Sequence, residues 1–169
     1  MKINDSYTSK RTGITQNICY EELDSFDTIR SLPMGAVGAF CFYGDRIVLV
    51  YAKNRDTWEI PGGGCEFGET FEESIIREIK EESNMKVLNL FPLGYDIFTN
   101  TETKENNYVA RYAAKVEPYG PFVKDLADGE ITAMKLIEPK DYTQYFDWGE
   151  RSKVMMKKAL CLVLGVEII

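Results

Sequence analysis

The sequence predicts an α/β protein, a mixed β-sheet covered by helices on both faces. Three observations predict it. Short runs rich in β-branched and aromatic residues recur along the chain and read as strands. Two helical stretches, Thr70–Ser83 and roughly Trp148–Leu164, interrupt and follow them. The alternation is irregular, beginning with a hairpin, which favours a mixed sheet over repeated strand–helix–strand units. At 169 residues the chain suits one domain with a substantial core.

Residues 1–33 are polar and irregular and read as an N-terminal extension. They hold one strand near Asn17–Glu21, packing on the core or on a partner, and an acidic turn at Asp24–Asp27. Pro33 and Gly35 punctuate the passage into the main domain, residues 34–169. Ala36–Phe42 and Arg46–Ala52 read as a β-hairpin around Tyr43-Gly44-Asp45. Trp58-Glu59-Ile60 is a short strand that stops at Pro61 and the turn Gly62-Gly63-Gly64. The helix from Thr70 carries a capping-box signature, with Glu73 three residues on, and Asn84 suits the left-handed residue that ends it. Val87–Tyr95, Tyr108–Val116 and Ile131–Ile137 read as further strands, and Asp147 with Glu150 marks the cap of the last helix.

Composition removes several kinds of chemistry. There is no histidine, which excludes serine–histidine and cysteine–histidine catalysis and histidine-ligated zinc. Acid–base and metal work then falls to carboxylates, supported by lysine or tyrosine. The four cysteines are scattered, with no C-x-x-C pair, and are expected to be buried thiols rather than zinc ligands or disulfides. A net charge of −7 without a basic run disfavours binding of bulk nucleic acid. A small polyanion remains compatible if a metal neutralises it locally. No apolar run reaches the length of a membrane helix and Met1–Ser6 lacks an apolar core, so the expected compartment is the cytoplasm.

The helix Thr70–Ser83 carries the chemistry. Phe71, Ile75 and Ile79 define its buried stripe. At roughly 100° per residue, Glu82 falls on that stripe, Glu78 beside it and Glu81 a little further round. Glu73, Arg77 and Lys80 fall on the opposite side. A solvated face with i, i+4 ion pairs is the competing reading, and it suits Glu73 with Arg77. It does not suit acids turned toward the core, because a buried carboxylate is costly unless paired or bound to a metal. Oxygen-only acidic clusters suit hard cations such as Mg²⁺ or Mn²⁺. The glycines before the helix would let backbone approach a metal or phosphate closely.

These residues also form a pattern that resembles the Nudix box, G-x5-E-x7-R-E-U-x-E-E-x-G-U, where U is a bulky aliphatic residue. Gly63, Glu69, Arg77, Glu78, Ile79, Glu81, Glu82 and Met85 stand at matching positions, and Asn84 replaces the second glycine. Asn tolerates the left-handed cap, so the departure leaves the proposed ligands untouched. The resemblance implies an α/β/α sandwich and Mg²⁺-dependent hydrolysis of a nucleoside diphosphate linked to another group, with Mn²⁺ as a substitute. By position it implies Glu78, Glu82 and the Gly63 carbonyl as metal ligands, with Glu81 ligating or activating water. Glu69 and Arg77 would orient loop and helix, and Glu130 is the candidate assisting acid outside the box. Lys53 and Arg55 are candidate phosphate contacts and Trp58 a candidate base stack; solvated cations and core packing are the competing readings.

The substrate is not legible at this level. Pro92 and Tyr95 match no subfamily motif, and an NADH-type signature is absent. A nucleoside triphosphate or its oxidised form is the first expectation and an ADP-sugar the second. Two readings of other classes are a non-catalytic nucleotide sensor on the same fold and an interaction module. In the latter, residues 1–33 and the last helix would form a homodimer interface.

Overall fold

Two apolar layers on opposite faces of a single β-sheet organise the protein. The structure is a computed structural model and describes residues 1–124 and 130–166. Its strands are β1 (Lys2–Thr8), β2 (Thr15–Glu22), β3 (Met34–Tyr43), β4 (Arg46–Ala52), β5 (Thr57–Glu59), β6 (Gly62–Gly64), β7 (Met85–Asn100), β8 (Asn106–Pro118) and β9 (Ile131–Ile137). Its helices are α1 (Phe71–Ser83) and α2 (Glu150–Leu164). The sheet runs β1-β2-β7-β8-β3-β4-β5, with β6 also on β3 and β9 also on β4. The β3–β8 pair is parallel and the others are antiparallel, so the sheet is mixed as expected.

Strand alternation sorts the side chains between the two layers. Val37, Ala39 and Cys41 of β3 face α1, where Phe71, Ile75 and Ile79 close the first cluster. Phe40 and Phe42 face the other way, toward Met155, Met156 and Ala159 of α2. The helices therefore cover the two faces of one sheet.

Several elements differ from expectation. Residues 1–22 supply two strands, and the β1–β2 hairpin joins the sheet through β2 on β7. Polar β1 gave no alternation signal because it is an edge strand with most residues exposed. The triple glycine is strand β6, paired with Ala36–Gly38. Strands β7 and β8 extend beyond the expected limits to form a long hairpin bent by two bulges. Asp147 does not cap α2: the cap position is Gly149, whose N–H donates to Asp147 Oδ1 at 2.8 Å. Of the cysteines only Cys41 is buried; Cys161 is exposed, and Cys19 and Cys65 are intermediate. Among the described residues no helix is long and apolar enough to cross a membrane.

Candidate active site

Helix α1 begins with the expected capping box. Thr70 Oγ1 accepts from the Glu73 N–H at 3.1 Å and Glu73 returns the bond to the Thr70 N–H at 2.8 Å. It ends at Asn84, which adopts φ 53° and donates its N–H to the Lys80 carbonyl. The Asn84 side chain adds something glycine could not, donating to the Pro121 carbonyl at 2.8 Å. Both helix ends are therefore fixed locally, and the rotational setting of the acids follows.

Glu82 lies on the buried side of α1, only 8% exposed. Its carboxylate accepts the Gly62 N–H at 2.9 Å, the partner that no neighbouring helix residue could provide. Burial pushes the Glu82 carboxyl up to about 8; the Gly62 bond opposes this and the Glu78 charge adds to it. Glu78 is raised as well, by burial against the opposing pull of Arg77. Glycine at 63 lets the Glu78 carboxylate lie against the backbone, since a Cβ there would sit 2.5 Å from the carboxyl carbon and displace it.

Arg77 does not make the solvated pair with Glu73 that the competing reading offered; the Glu73 carboxylate is used in the capping box. Its guanidinium instead reaches Glu69 at 2.7 Å, Glu78 at 2.7 Å, Glu81 at 3.4 Å and the Gly64 carbonyl at 2.9 Å. A long side chain can leave its helical-wheel position for a dense cluster of acceptors, which the wheel does not register. Arg77 and the Ser74 hydroxyl hold Glu69 well below the carboxylate range, at about 2. The loop before α1 is thereby tied to its first two turns.

Arg55, Gly63, Arg77, Glu78, Glu81, Glu82 and Glu130 line one polar cleft of about 470 Å³. Arg55 pairs with both Glu59 and Glu130, bringing an acid 75 residues away to the cleft. Glu69 stands behind Arg77 rather than on the cleft wall. Two candidates lie elsewhere. Lys53 is exposed and meets Glu130 only through its backbone N–H. Trp58, half-buried, packs between Tyr51 and Tyr145, with Lys135 Nζ 4.6 Å from its ring. Glu59 joins through its i, i+4 spacing from Arg55, a signal present in the sequence. The roles of the Gly62 N–H and Gly64 carbonyl leave no side-chain signal.

The donor set suits a hard divalent cation. The cleft offers carboxylate and carbonyl oxygens, and glycine at 63 leaves the backbone open to Glu78. Among the described residues no three acidic or thiol side chains already close on one point. Glu78 is drawn to Arg77 and Glu82 to Gly62, so ligation would exchange those partners for the cation.

Comparison with known proteins supplies the family. The NUDIX domain matches residues 32–159. The chain is 31% identical over 106 residues to an ADP-ribose pyrophosphatase of Methanocaldococcus jannaschii, covering 60% of this chain and 56% of that protein. It is 27% identical over 105 residues to an RNA pyrophosphohydrolase of Nitratiruptor sp., covering 57% and 68%. A further curated relative, from Bacillus subtilis, is matched over 24% of its own length. Among solved structures, the Bacillus subtilis pyrophosphohydrolase BsRppH superposes with a TM-score of 0.68 at 22% identity, covering 91% of this chain and 94% of that one. That likeness establishes the shared fold.

Proposed function

This chain belongs to the NUDIX family, and we propose that it is a Mg²⁺-dependent pyrophosphohydrolase acting on a nucleoside diphosphate linked to another group. The observation that carries the proposal is Glu82, an acid held in the cleft floor by the Gly62 N–H beside a second shielded acid, Glu78. A structural role alone would favour an apolar residue at such a position. The catalytic machinery falls within residues 34–169, and residues 1–33 contribute the β1–β2 hairpin. A small nucleotide is the partner, since the net charge of −7 opposes bulk nucleic acid.

In this reading Glu78, Glu82 and the Gly63 carbonyl hold the cation, with Glu81 and Glu130 at the rim of the same cleft. A divalent ion bound there would neutralise phosphate charge and lower the pKa of water. Glu81, the most exposed of the three helix acids, takes the proton as water attacks phosphorus. Arg77 sets the positions of Glu78 and Glu81, while Glu69 anchors Arg77 to the loop. Arg55, paired with Glu59 and Glu130 at the edge of the cleft, is the guanidinium placed to meet a phosphate. Positioning and charge neutralisation then supply most of the rate. Mn²⁺ substitutes, because the ligands are all oxygen.

A nucleoside triphosphate or its oxidised form is the first substrate class. An ADP-sugar is the second, supported by the ADP-ribose pyrophosphatase relative. The test is a panel of nucleoside triphosphates, ADP-ribose, dinucleoside polyphosphates and coenzyme A. Phosphate release is read with Mg²⁺ or Mn²⁺ after phosphatase or pyrophosphatase coupling. Turnover of at least one compound is expected; no turnover on any overturns the proposal in favour of a non-catalytic nucleotide sensor.

A further inference from the structure

Helix α1 buries two serines, Ser74 and Ser83, and they use their hydroxyls differently. Ser83 donates its hydroxyl to the Ile79 carbonyl at 2.6 Å, one turn back along the same helix. That back-bond is the ordinary outlet for a serine inside a helix. The equivalent carbonyl for Ser74 is that of Thr70, which takes the Ser74 N–H at 3.0 Å and keeps a second lone pair. The Ser74 hydroxyl turns elsewhere, donating to Glu69 Oε2 at 2.7 Å. Packing alone would favour alanine at this fully buried position, since alanine is the better helix former and has no hydroxyl to satisfy.

Glu69 connects that hydroxyl to the acids of the cleft. Its Oε1 accepts Arg77 Nε at 2.7 Å and its Oε2 accepts Arg77 Nη2 at 3.0 Å, a two-bond pairing that fixes the guanidinium plane. The remaining nitrogen, Nη1, stands 2.7 Å from Glu78 and 3.4 Å from Glu81. Because a guanidinium is planar and rigid, the plane set at Glu69 decides where Nη1 lies. Arg77 by itself leaves the carboxylate free to swing with it as a pair. The Glu66 N–H, 3.2 Å from Oε2, holds the carboxylate only to its own loop. Ser74 is the bond that ties it to the helix carrying Glu78 and Glu81, through a short side chain with little freedom to follow.

We propose that Ser74 is a positioning residue for the hydrolysis, acting through Glu69 and the Arg77 guanidinium on Glu78 and Glu81. The proposal rests on the acid cleft being the catalytic site. Ser74 has no exposed surface and does not line the cleft, so its loss acts on turnover rather than on substrate binding.

Ser74→Ala and Ser83→Ala form a matched pair, each removing one buried hydroxyl from α1. Both are assayed as the full chain with Mg²⁺, at a temperature where urea curves show them folded, on the compound turned over fastest in the nucleotide panel. Ser74→Ala is expected to lower kcat roughly tenfold with KM unchanged, while Ser83→Ala keeps both. The NMR resonance of the Arg77 Nε–H gives a reading independent of turnover. It is expected to shift or broaden in Ser74→Ala and to hold its place in Ser83→Ala. Equal kcat in the two variants, or an Arg77 resonance that Ser74→Ala leaves in place, overturns the proposal, and turnover by the parent keeps the hydrolase reading standing. A parent that hydrolyses nothing overturns the hydrolase reading; a displaced Arg77 resonance in Ser74→Ala then still supports Ser74 as the residue that sets the guanidinium.

Discussion

Replacing Glu82 by Gln separates the stability of the cleft from its function. The Glu82 carboxyl is raised from 4.5 to about 8, chiefly by burial, so between these values the folded chain holds a proton that the unfolded chain has lost. Stability therefore falls as pH rises through this window. Integrated over the window, ionising the unfolded chain's carboxyl while the folded one stays protonated costs about 2 kcal/mol at pH 6 and on the order of 4 kcal/mol at pH 8. Gln keeps an oxygen for the Gly62 N–H and removes the titration. In EDTA, urea denaturation of Glu82→Gln should match the parent near pH 4.5 and exceed it increasingly up to pH 8. Mg²⁺ should stabilise the parent at pH 8 and leave the variant nearly unmoved. Hydrolysis by the variant should drop by roughly 10²-fold or more, as expected for a group stabilising transition-state charge. Parallel pH profiles for the two proteins, or undiminished hydrolysis in the variant, would refute the reasoning.

Three further substitutions test the rest of the cleft. Gly63→Ala places a methyl group against the Glu78 carboxylate, so Mg²⁺ affinity by calorimetry should fall tenfold or more. Arg77→Met removes the partner that holds the Glu69 carboxyl near 2. Its NMR titration should move up toward the ordinary range; the parent's stabilisation, present above the unfolded value and lost as pH falls toward 2, should disappear from acid unfolding curves. Steady-state hydrolysis by the same variant should show a lower kcat than the parent. Asn84→Ala combines left-handed strain with loss of the Pro121 contact and should cost about 2 kcal/mol in urea. Asn84→Gly loses only the contact and should cost about half as much, with activity retained.

Which parts of this protein were readable in advance follows from the range of the forces involved. Helix α1, its capping box and its left-handed end depend on residues within four positions of one another, so the local pattern carries them. The inward turn of Glu78 and Glu82 comes from the same 3.6-residue period. The absence of histidine left carboxylates as the remaining chemistry. Edge strand β1 and glycine strand β6 escaped because their side chains carry no burial pattern; their places are set by backbone pairing alone.

The sequence by itself determined the acid-bearing helix, the carboxylate chemistry of its inner face and, through the box pattern, the family. Tertiary structure alone decided the direction taken by Arg77, the union of Arg55 with Glu59 and Glu130, and the packing of Trp58 between Tyr51 and Tyr145. It alone also joined Arg111 of β8, Asp96 of β7 and Arg151 of α2 into one buried network. Local hydrogen bonding and helical period are encoded over a single turn. Partnerships across tens of residues depend instead on strand register and side-chain reach, which exist only after the sheet has formed.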